Sequence, residues 1–275
     1  PPSRPRSDDA GRGHRVTLSV GVDVGGTFTD LAAVGTDGRV VTRKVLSTPA
    51  DQSEGVAGAL AALDREASGV GRIAHGTTVV TNLLLERKGA RVVLCATAGA
   101  ADLLELRRQE RAGLYDLSLH HPAPLVPHDR VVPVAERITA HGVPMPLTDA
   151  EAARVADEVA ALAPDIVVVS LLHAYANDAH EARLAVAIAK RLPNVDVVRG
   201  AAVLPEIREY ERTATAVAEG YARPRVHRYL EHLAGRLKAG GYPVPNVMTS
   251  GGGMLPAHDA ASRAASLALS GPAGG

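Results

Sequence analysis

The chain of 275 residues has no tryptophan, one phenylalanine, one cysteine and no net formal charge. With six tyrosines as the only other benzenoid rings, this scarcity argues against stacking platforms for single-stranded nucleic acid. Thirty basic residues balance thirty acidic ones, so no net field draws in nucleic acid or a membrane surface. A lone cysteine excludes an internal disulfide framework. Cys95 ends the run Arg91-Val92-Val93-Leu94-Cys95 and reads as a buried, inert thiol. No stretch approaches the roughly 18 consecutive apolar residues of a membrane span. Residues 1–15 are rich in Pro, Arg and Asp without an apolar stretch, and read as a disordered tail, not a signal peptide. A cytoplasmic globular protein is expected, with a core of Ala, Val and Leu and room for one large or two ordinary domains.

Two common nucleotide motifs are missing as well. No Gly-x-x-x-x-Gly-Lys-Ser/Thr run occurs, and Gly21-x-Asp23-x-Gly25-Gly26 is not Gly-x-Gly-x-x-Gly. What stands there is Gly21-Val22-Asp23-Val24-Gly25-Gly26-Thr27-Phe28-Thr29-Asp30, between apolar runs at 16–24 and 31–34. That pattern predicts a β-hairpin whose turn lacks side chains where a phosphate would approach. Bare N–H groups at Gly25 and Gly26 would make an anion-binding concavity, with hydroxyl donors from Thr27 and Thr29. Two carboxylates beside a phosphate repel it unless a divalent cation lies between, so Asp23 and Asp30 suggest Mg²⁺. An ordinary Gly-Gly turn with polar exits is the competing reading.

Further along, Asp37-Gly38 marks a turn before a strand at 40–46. Three antiparallel strands followed by helices are the expected start of a ribonuclease-H-like lobe. Helices are expected at 51–67, 77–87 and 101–106, and strands at 73–76 and 91–97. Residues 122–146 hold six prolines and read as a loop-and-strand excursion. Thr148-x-x-Glu151 is a capping box for a helix to about 163, and Asp178-x-x-Glu181 resembles a second one, for a helix to about 192. The apolar run 166–172 suits a strand covered on both faces, and 195–198 another, giving a parallel βαβ-like unit. Helices at 205–221 and 225–238 are separated by Pro224, and a strand at 244–248 leads into Ser250-Gly251-Gly252-Gly253.

His75-Gly76-Thr77-Thr78, with Asn82 one turn on, places a glycine and free N–H groups where a strand gives way to a helix. His75 could orient a substrate or move a proton, or be a satisfied histidine beside a cap by Thr77. Gly251, Gly252 and Gly253 could admit a nucleotide to the backbone or form a flexible turn. His120-His121 and His128-Asp129 have metal-binding composition, but their Pro-rich setting reads as solvated loop.

The hairpin segment resembles the first phosphate loop of the actin-like ATPases, and more narrowly the start of the hydantoinase A/5-oxoprolinase family. His75-Gly76-Thr77-Thr78-x-x-Thr81-Asn82 with Leu85-Glu86-Arg87-Lys88-Gly89-Ala90 resembles that family's second signature. Leu171-Leu172-His173-x-Tyr175 with His180-Glu181 resembles another, as does Leu204-Pro205-Glu206-Ile207-Arg208-Glu209-Tyr210-Glu211-Arg212-Thr213-x-Thr215. Ser250-Gly251-Gly252-Gly253 and Ser270-Gly271-Pro272-Ala273-Gly274-Gly275 complete six ordered matches from about residue 16 to the end. Two places depart from the family: Gly99-Ala100-Ala101-Asp102 where Gly-Phe is common, and Glu219-Gly220-Tyr221 where Asn-Ala-Tyr is.

The resemblance implies an α/β fold: an actin-like ATPase (ribonuclease-H-like) lobe over 16–200 with a Pro-rich insertion, and the start of a second lobe over 201–275. It implies the A-type subunit of an ATP-dependent amidohydrolase that opens a cyclic amide or imide (hydantoin, 5-oxoproline or lactam). Gly25, Gly26, Thr27 and Thr29, with Ser250, Gly251, Gly252 and Gly253, would bind the nucleotide and its phosphates. Asp23 and Asp30 would hold Mg²⁺, and Asp30, His75 and Arg212 would carry catalysis, Arg212 as a fixed charge or else in a surface salt bridge with Glu209 or Glu211. Thr77, Thr78 and Asn82 would face the substrate. A B-type subunit is the expected partner. In relatives a second phosphate hairpin and most of the other lobe follow, so the expectation is a fragment, a chain completed by another, or a lobe that no longer hydrolyses ATP. The alternatives are the nucleotide-activating subunit of an acetone- or acetophenone-type carboxylase, and a non-catalytic lobe that binds nucleotide or a partner.

Overall fold

Strict alternation of buried and exposed residues opens the chain. β1 (Leu18–Val24) and β2 (Phe28–Gly35) each bury every second side chain and pair antiparallel, and β3 (Val40–Leu46) extends the meander. The structure, a computed structural model, describes residues 17–48, 51–63, 69–116 and 118–270. The tail expected at 1–15, the end of the helix expected at 51–67 and the segment 271–275 lie outside the described residues. After α1 (Gln52–Leu63), β4 (Val70–Thr77) returns parallel to β1 and leads into α2 (Val79–Leu85).

A second sheet is then built from β5 (Val92–Thr97), β6 (Val131–Val134), β9 (Ile166–Ser170) and β10 (Asp196–Arg199), all parallel, in the order β10-β9-β5-β6. Between its strands lie α3 (Leu103–Leu106), the hairpin β7 (Arg137–Thr139) and β8 (Gly142–Met145), α4 (Asp149–Ala161) and α5 (Ala179–Arg191). β9 is apolar but for Ser170 and is buried along its whole length, as its run of branched residues requires. The Pro-rich excursion contributes β6, where Pro133 is accommodated because that strand is at the sheet's edge.

The chain returns to the first sheet through α6 (Gly200–Val203), α7 (Glu209–Ala239), β11 (Asn246–Met248), β12 (Met254–Pro256) and α8 (Ala257–Ala260). β11 lies parallel to β4, giving the order β12-β11-β4-β1-β2-β3. This α/β lobe has the three-strand meander and following parallel strand expected of the ribonuclease-H-like type. The boundary expected near 200 does not separate two sheets, since β11 and β12 complete a sheet begun at residue 18.

α7 joins the two layers. Ala216, Val217 and Tyr221 pack with the second sheet, whereas Ala222, Val226, Leu230, Leu233 and Leu237 pack with the first. Gly220 permits the crossing, because a Cβ there would lie 2.6 Å from the Val168 side chain. Two helices were expected around Pro224, but a single helix runs through it. The helix forfeits one hydrogen bond at the proline, and burial of Ala222 and Val226 on either side holds it together. The Thr148 cap forms, with its hydroxyl accepting from the Glu151 N–H at 3.1 Å. The second capping box does not: Asp178 binds Arg199, and Glu181 reaches the N–H groups of Leu171 and Ala201.

Candidate functional site

Parallel pairing brings the sequence motifs to one edge. β1, β4 and β11 run in the same direction, so their carboxyl ends lead together into the Gly25-Gly26-Thr27 turn, into Thr77-Thr78 and into the Thr249–Gly253 loop. Ligands of α/β sheets favour such edges. Thr78 Oγ1 donates to the Val24 carbonyl (3.1 Å) and Asn82 Nδ2 donates to Thr78 Oγ1 (3.4 Å), which pins the start of α2 to the hairpin. Ser270 Oγ donates to the Thr77 carbonyl at 3.0 Å.

The face of the sheet away from α1 and α7 carries an open cleft of about 510 Å³. Small residues, Gly21, Ala32, Ala74 and Gly76, line it together with Asp23, Asp30, Lys44 and Met248. Asp23 and Asp30 are direct cross-strand partners, and Asp30 in turn faces Lys44, whose Nζ is 2.8 Å from Asp30 Oδ1. Gly76 leaves room beneath them, since a Cβ there would lie 3.0 Å from Asp23 Oδ1 and press that carboxylate aside. Two facing carboxylates suit Mg²⁺, which takes one or two carboxylates and fills its octahedron with water and phosphate oxygens. Among the described residues no group of three or more His, Cys, Asp or Glu side chains converges as a self-sufficient metal cage.

The turn itself is open where a ligand would sit. A Cβ on Gly26 would meet nothing within 4 Å, whereas one on Gly25 would lie 3.2 Å from the Phe28 carbonyl. Thr27 is exposed beside them. Thr29 corrects an expectation, because it points away from the cleft. It is fully buried, its hydroxyl bonds Ser47 Oγ at 3.1 Å, and Ser47 Oγ donates to the Gly25 carbonyl at 2.8 Å. With a side-chain period of two, neighbours Thr29 and Asp30 cannot face the same side. Thr29 therefore braces the turn from behind.

His75 and Thr77 fall on the covered face by the same rule. His75 is fully buried and its Nε2 meets the Tyr229 hydroxyl of α7 at 2.7 Å. Burial pushes its pKa down to about 4, so it is neutral at physiological pH. The expected proton carrier thus lies on the face of the sheet opposite the cleft. Thr77 is buried as well, and its Oγ1 accepts from the Val79 N–H at 3.2 Å. Thr77, Thr78 and Asn82 support the sheet edge: their hydrogen bonds go to Val79, to the Val24 carbonyl and to one another, and not toward the substrate side where they were expected.

Arg212 corrects the third catalytic expectation. It lies at the second sheet, fully buried, with Nη1 donating to the Glu206 carbonyl (3.0 Å), Nη2 to the Leu171 carbonyl (3.0 Å) and an ion pair to Glu209. Its guanidinium stacks 5.5 Å from the Tyr175 ring centre. Glu209 also accepts from the His173 N–H at 3.2 Å, so Arg212 latches the loop after β9 to the start of α7. Glu211, the other expected partner, pairs with Arg108 instead.

Ser250, Gly251 and Gly253 line a separate cavity of about 360 Å³ with Arg263, and no residue is shared with the Asp23 cleft. Gly252 has φ +79°, and its N–H binds the Thr249 carbonyl at 3.0 Å, so glycine is needed there for the turn alone. His128 binds Asp102 and His121 binds the Glu110 carbonyl, as solvated loop residues do.

Sequence reasoning overlooked Lys44 and a buried polar group in the second sheet, and it marked Gly76 for close backbone approach without seeing that it lies against Asp23. There Glu136 sits between Thr97 Oγ1 and His180 Nδ1, and His180 Nε2 accepts from the Leu147 N–H at 3.2 Å. Burial pushes Glu181 up to about 7, although two backbone N–H groups bind it. His180-Glu181 was the available signal.

A family profile described as the hydantoinase/oxoprolinase N-terminal region matches residues 19–192, and one described as hydantoinase/oxoprolinase matches 212–275. The caprolactamase alpha subunit of Pseudomonas jessenii is 33% identical over 92% of this chain and 38% of its own length. The solved structure of that organism's ATP-dependent caprolactamase superposes with a TM-score of 0.83 at 31% identity, over 94% of this chain and 39% of that one. Nucleotide-free acetone carboxylase, from a study of ATP-dependent acetone carboxylation, gives a TM-score of 0.83 at 28% identity, over 95% and 39%. The chain spans just under two-fifths of the length of the curated relatives it matches first. Among the described residues no helix is long and apolar enough to cross a membrane.

Proposed function

The chain belongs to the hydantoinase/oxoprolinase family, and from that premise we propose that it is the ATP-handling part of an enzyme that opens a cyclic amide or imide. The observation that carries this reading is the pair Asp23 and Asp30, facing each other across a glycine turn at the mouth of the open cleft. The backbone N–H groups of Gly25 and Gly26 and the Thr27 hydroxyl would receive phosphate oxygens. Asp23 and Asp30 would hold Mg²⁺ or its waters, while Lys44 limits the repulsion between the two acids. Gly76 keeps room for the Asp23 carboxylate. ATP would supply a phosphoryl group to the carbonyl oxygen of the ring, which makes an unreactive amide carbon open to water. The chain's part in that step is positioning and charge stabilisation. The Ser250–Gly253 loop would serve the nucleotide from the adjoining edge. A B-type subunit, or further polypeptide forming the other lobe, would complete the site.

A second reading, an activating subunit of a ketone carboxylase, is favoured by the likeness to acetone carboxylase. Product analysis separates them, as ring opening or as bicarbonate-dependent carboxylation. Calorimetric titration of Mg-ATP into the chain, with Asp30→Ala alongside, tests the shared premise. Saturable binding that the variant loses is the expected result. Binding of equal strength in the variant would overturn the assignment, and turnover without ATP in the assembled enzyme would do the same.

A further inference from the structure

A second cavity, of about 700 Å³, lies between β10, α6, the middle of α7 and residues 262–266. It shares no residue with the Asp23 cleft, and it adjoins the cavity of the Ser250–Gly253 loop through Ser250, Arg263 and Ser266. Three arginines line it, Arg199, Arg223 and Arg263, against a single acid, Glu219. Arg199 is engaged by Asp178 at 2.8 Å. Arg223 Nε donates to Glu219 Oε1 at 2.9 Å, and its Nη2 to the Ser262 carbonyl at 3.2 Å. Glu219 is buried, and its other oxygen accepts from the Ala265 N–H at 2.7 Å. Both of its oxygens are thereby committed.

Arg263 is different. Among the described residues its guanidinium has neither an ion pair nor a hydrogen bond, and it fronts both cavities. The hydroxyls of Thr215 and Ser250 stand in the same wall. An uncompensated guanidinium with hydroxyl donors around it, in a concave site whose one carboxylate is already saturated, selects an oxygen anion.

We propose that this cavity is an oxyanion subsite in which Arg263, with Thr215 and Ser250, holds a carboxylate or phosphate group of a small ligand. The two sources of that chemistry rest on the function proposed above: the carboxylate of an acidic cyclic amide, or a phosphate of the nucleotide. The cavity also explains why Arg223 is tied on two sides. It forms a fixed wall, and Arg263 is left to meet the ligand.

The experiment titrates the 275-residue chain with 5-oxoproline, with 2-pyrrolidinone (the same ring without its carboxylate) and with inorganic phosphate. Wild type, Arg263→Gln and Arg263→Lys are compared, with thermal melts to verify folding. Loss of about tenfold or more in affinity for 5-oxoproline or phosphate in Arg263→Gln, partly restored in Arg263→Lys, is the expected outcome. An effect on 5-oxoproline identifies the carboxylate as the source, and an effect on phosphate alone identifies the nucleotide. Equal affinity of wild type and Arg263→Gln for every anion that binds overturns the proposal, as does failure of both anions to bind wild type. Binding of 2-pyrrolidinone that falls equally in the variant also overturns it, since no anion is then being read. Mg-ATP titrations of Asp30→Ala report separately on the hairpin, so the two readings fail independently.

Discussion

The carboxyl edges of the two sheets occupy equivalent places in the fold and are finished in opposite ways. At the first, Asp23, Asp30, Gly26 and Thr27 are exposed, and one exposed lysine, Lys44, pairs with Asp30 on the side away from Asp23. At the second, Arg212, Glu136, Glu181 and His180 are buried and held by neighbouring side chains and backbone groups, with only the Nε of Arg212 left without a partner. A polar group with its bonding already complete can hold loops in place and has little left for a ligand. An exposed group on a rigid strand is available. Charge alone does not separate machinery from scaffold, whereas the state of its partners does.

That contrast breaks if buried polar groups prove dispensable. Arg212→Met leaves Glu209 without its partner and frees the Leu171 and Glu206 carbonyls, so a loss of about 3–5 kcal/mol in urea unfolding is expected, the largest effect here. Stability within experimental error of wild type would put Arg212 outside the scaffold. His75 gives the next effect, through pH. Its folded pKa of about 4 lies below the ordinary 6.5, so as pH falls the unfolded chain takes up the proton first. Stability is full above pH 6.5 and is lost toward pH 4, by roughly 3 kcal/mol in all. In His75→Gln that part of the pH dependence should vanish, which denaturation curves at pH 7 and pH 4.5 would register.

Thr29→Val sharpens the comparison within one hairpin. Loss of its bond to Ser47 should cost about 1 kcal/mol while Mg-ATP affinity stays unchanged, since the side chain is behind the sheet. A large fall in affinity would return Thr29 to the phosphate site. Asp30→Ala is the mirror case and the smallest in stability. Its pair with Lys44 is more than half exposed, so less than about 1 kcal/mol should be lost, even as nucleotide binding fails.

Much of the lobe was legible because its signals are local. Alternation marked β1 and β2, the uninterrupted apolar run marked β9, and Thr148 announced α4. Pro224 misled, because the cost of a proline inside a helix is local while the packing that outweighs it comes from two sheets far away in sequence. Asp178 misled for a related reason: Arg199 offers its carboxylate a better partner than the helix N–H groups.

By itself the sequence determined the hairpin and the residues at its turn. The order of the motifs and the glycines in the hairpin already set the turn, the two acids and the family. Which way each of those residues faces was decided by tertiary structure. Strand pairing put Asp23 against Asp30, α7 covered His75, and a second sheet drew Arg212 away from the hairpin. The physical reason is that a strand presents its side chains to both sides equally, and only the packing of helices on one side makes that side an interior.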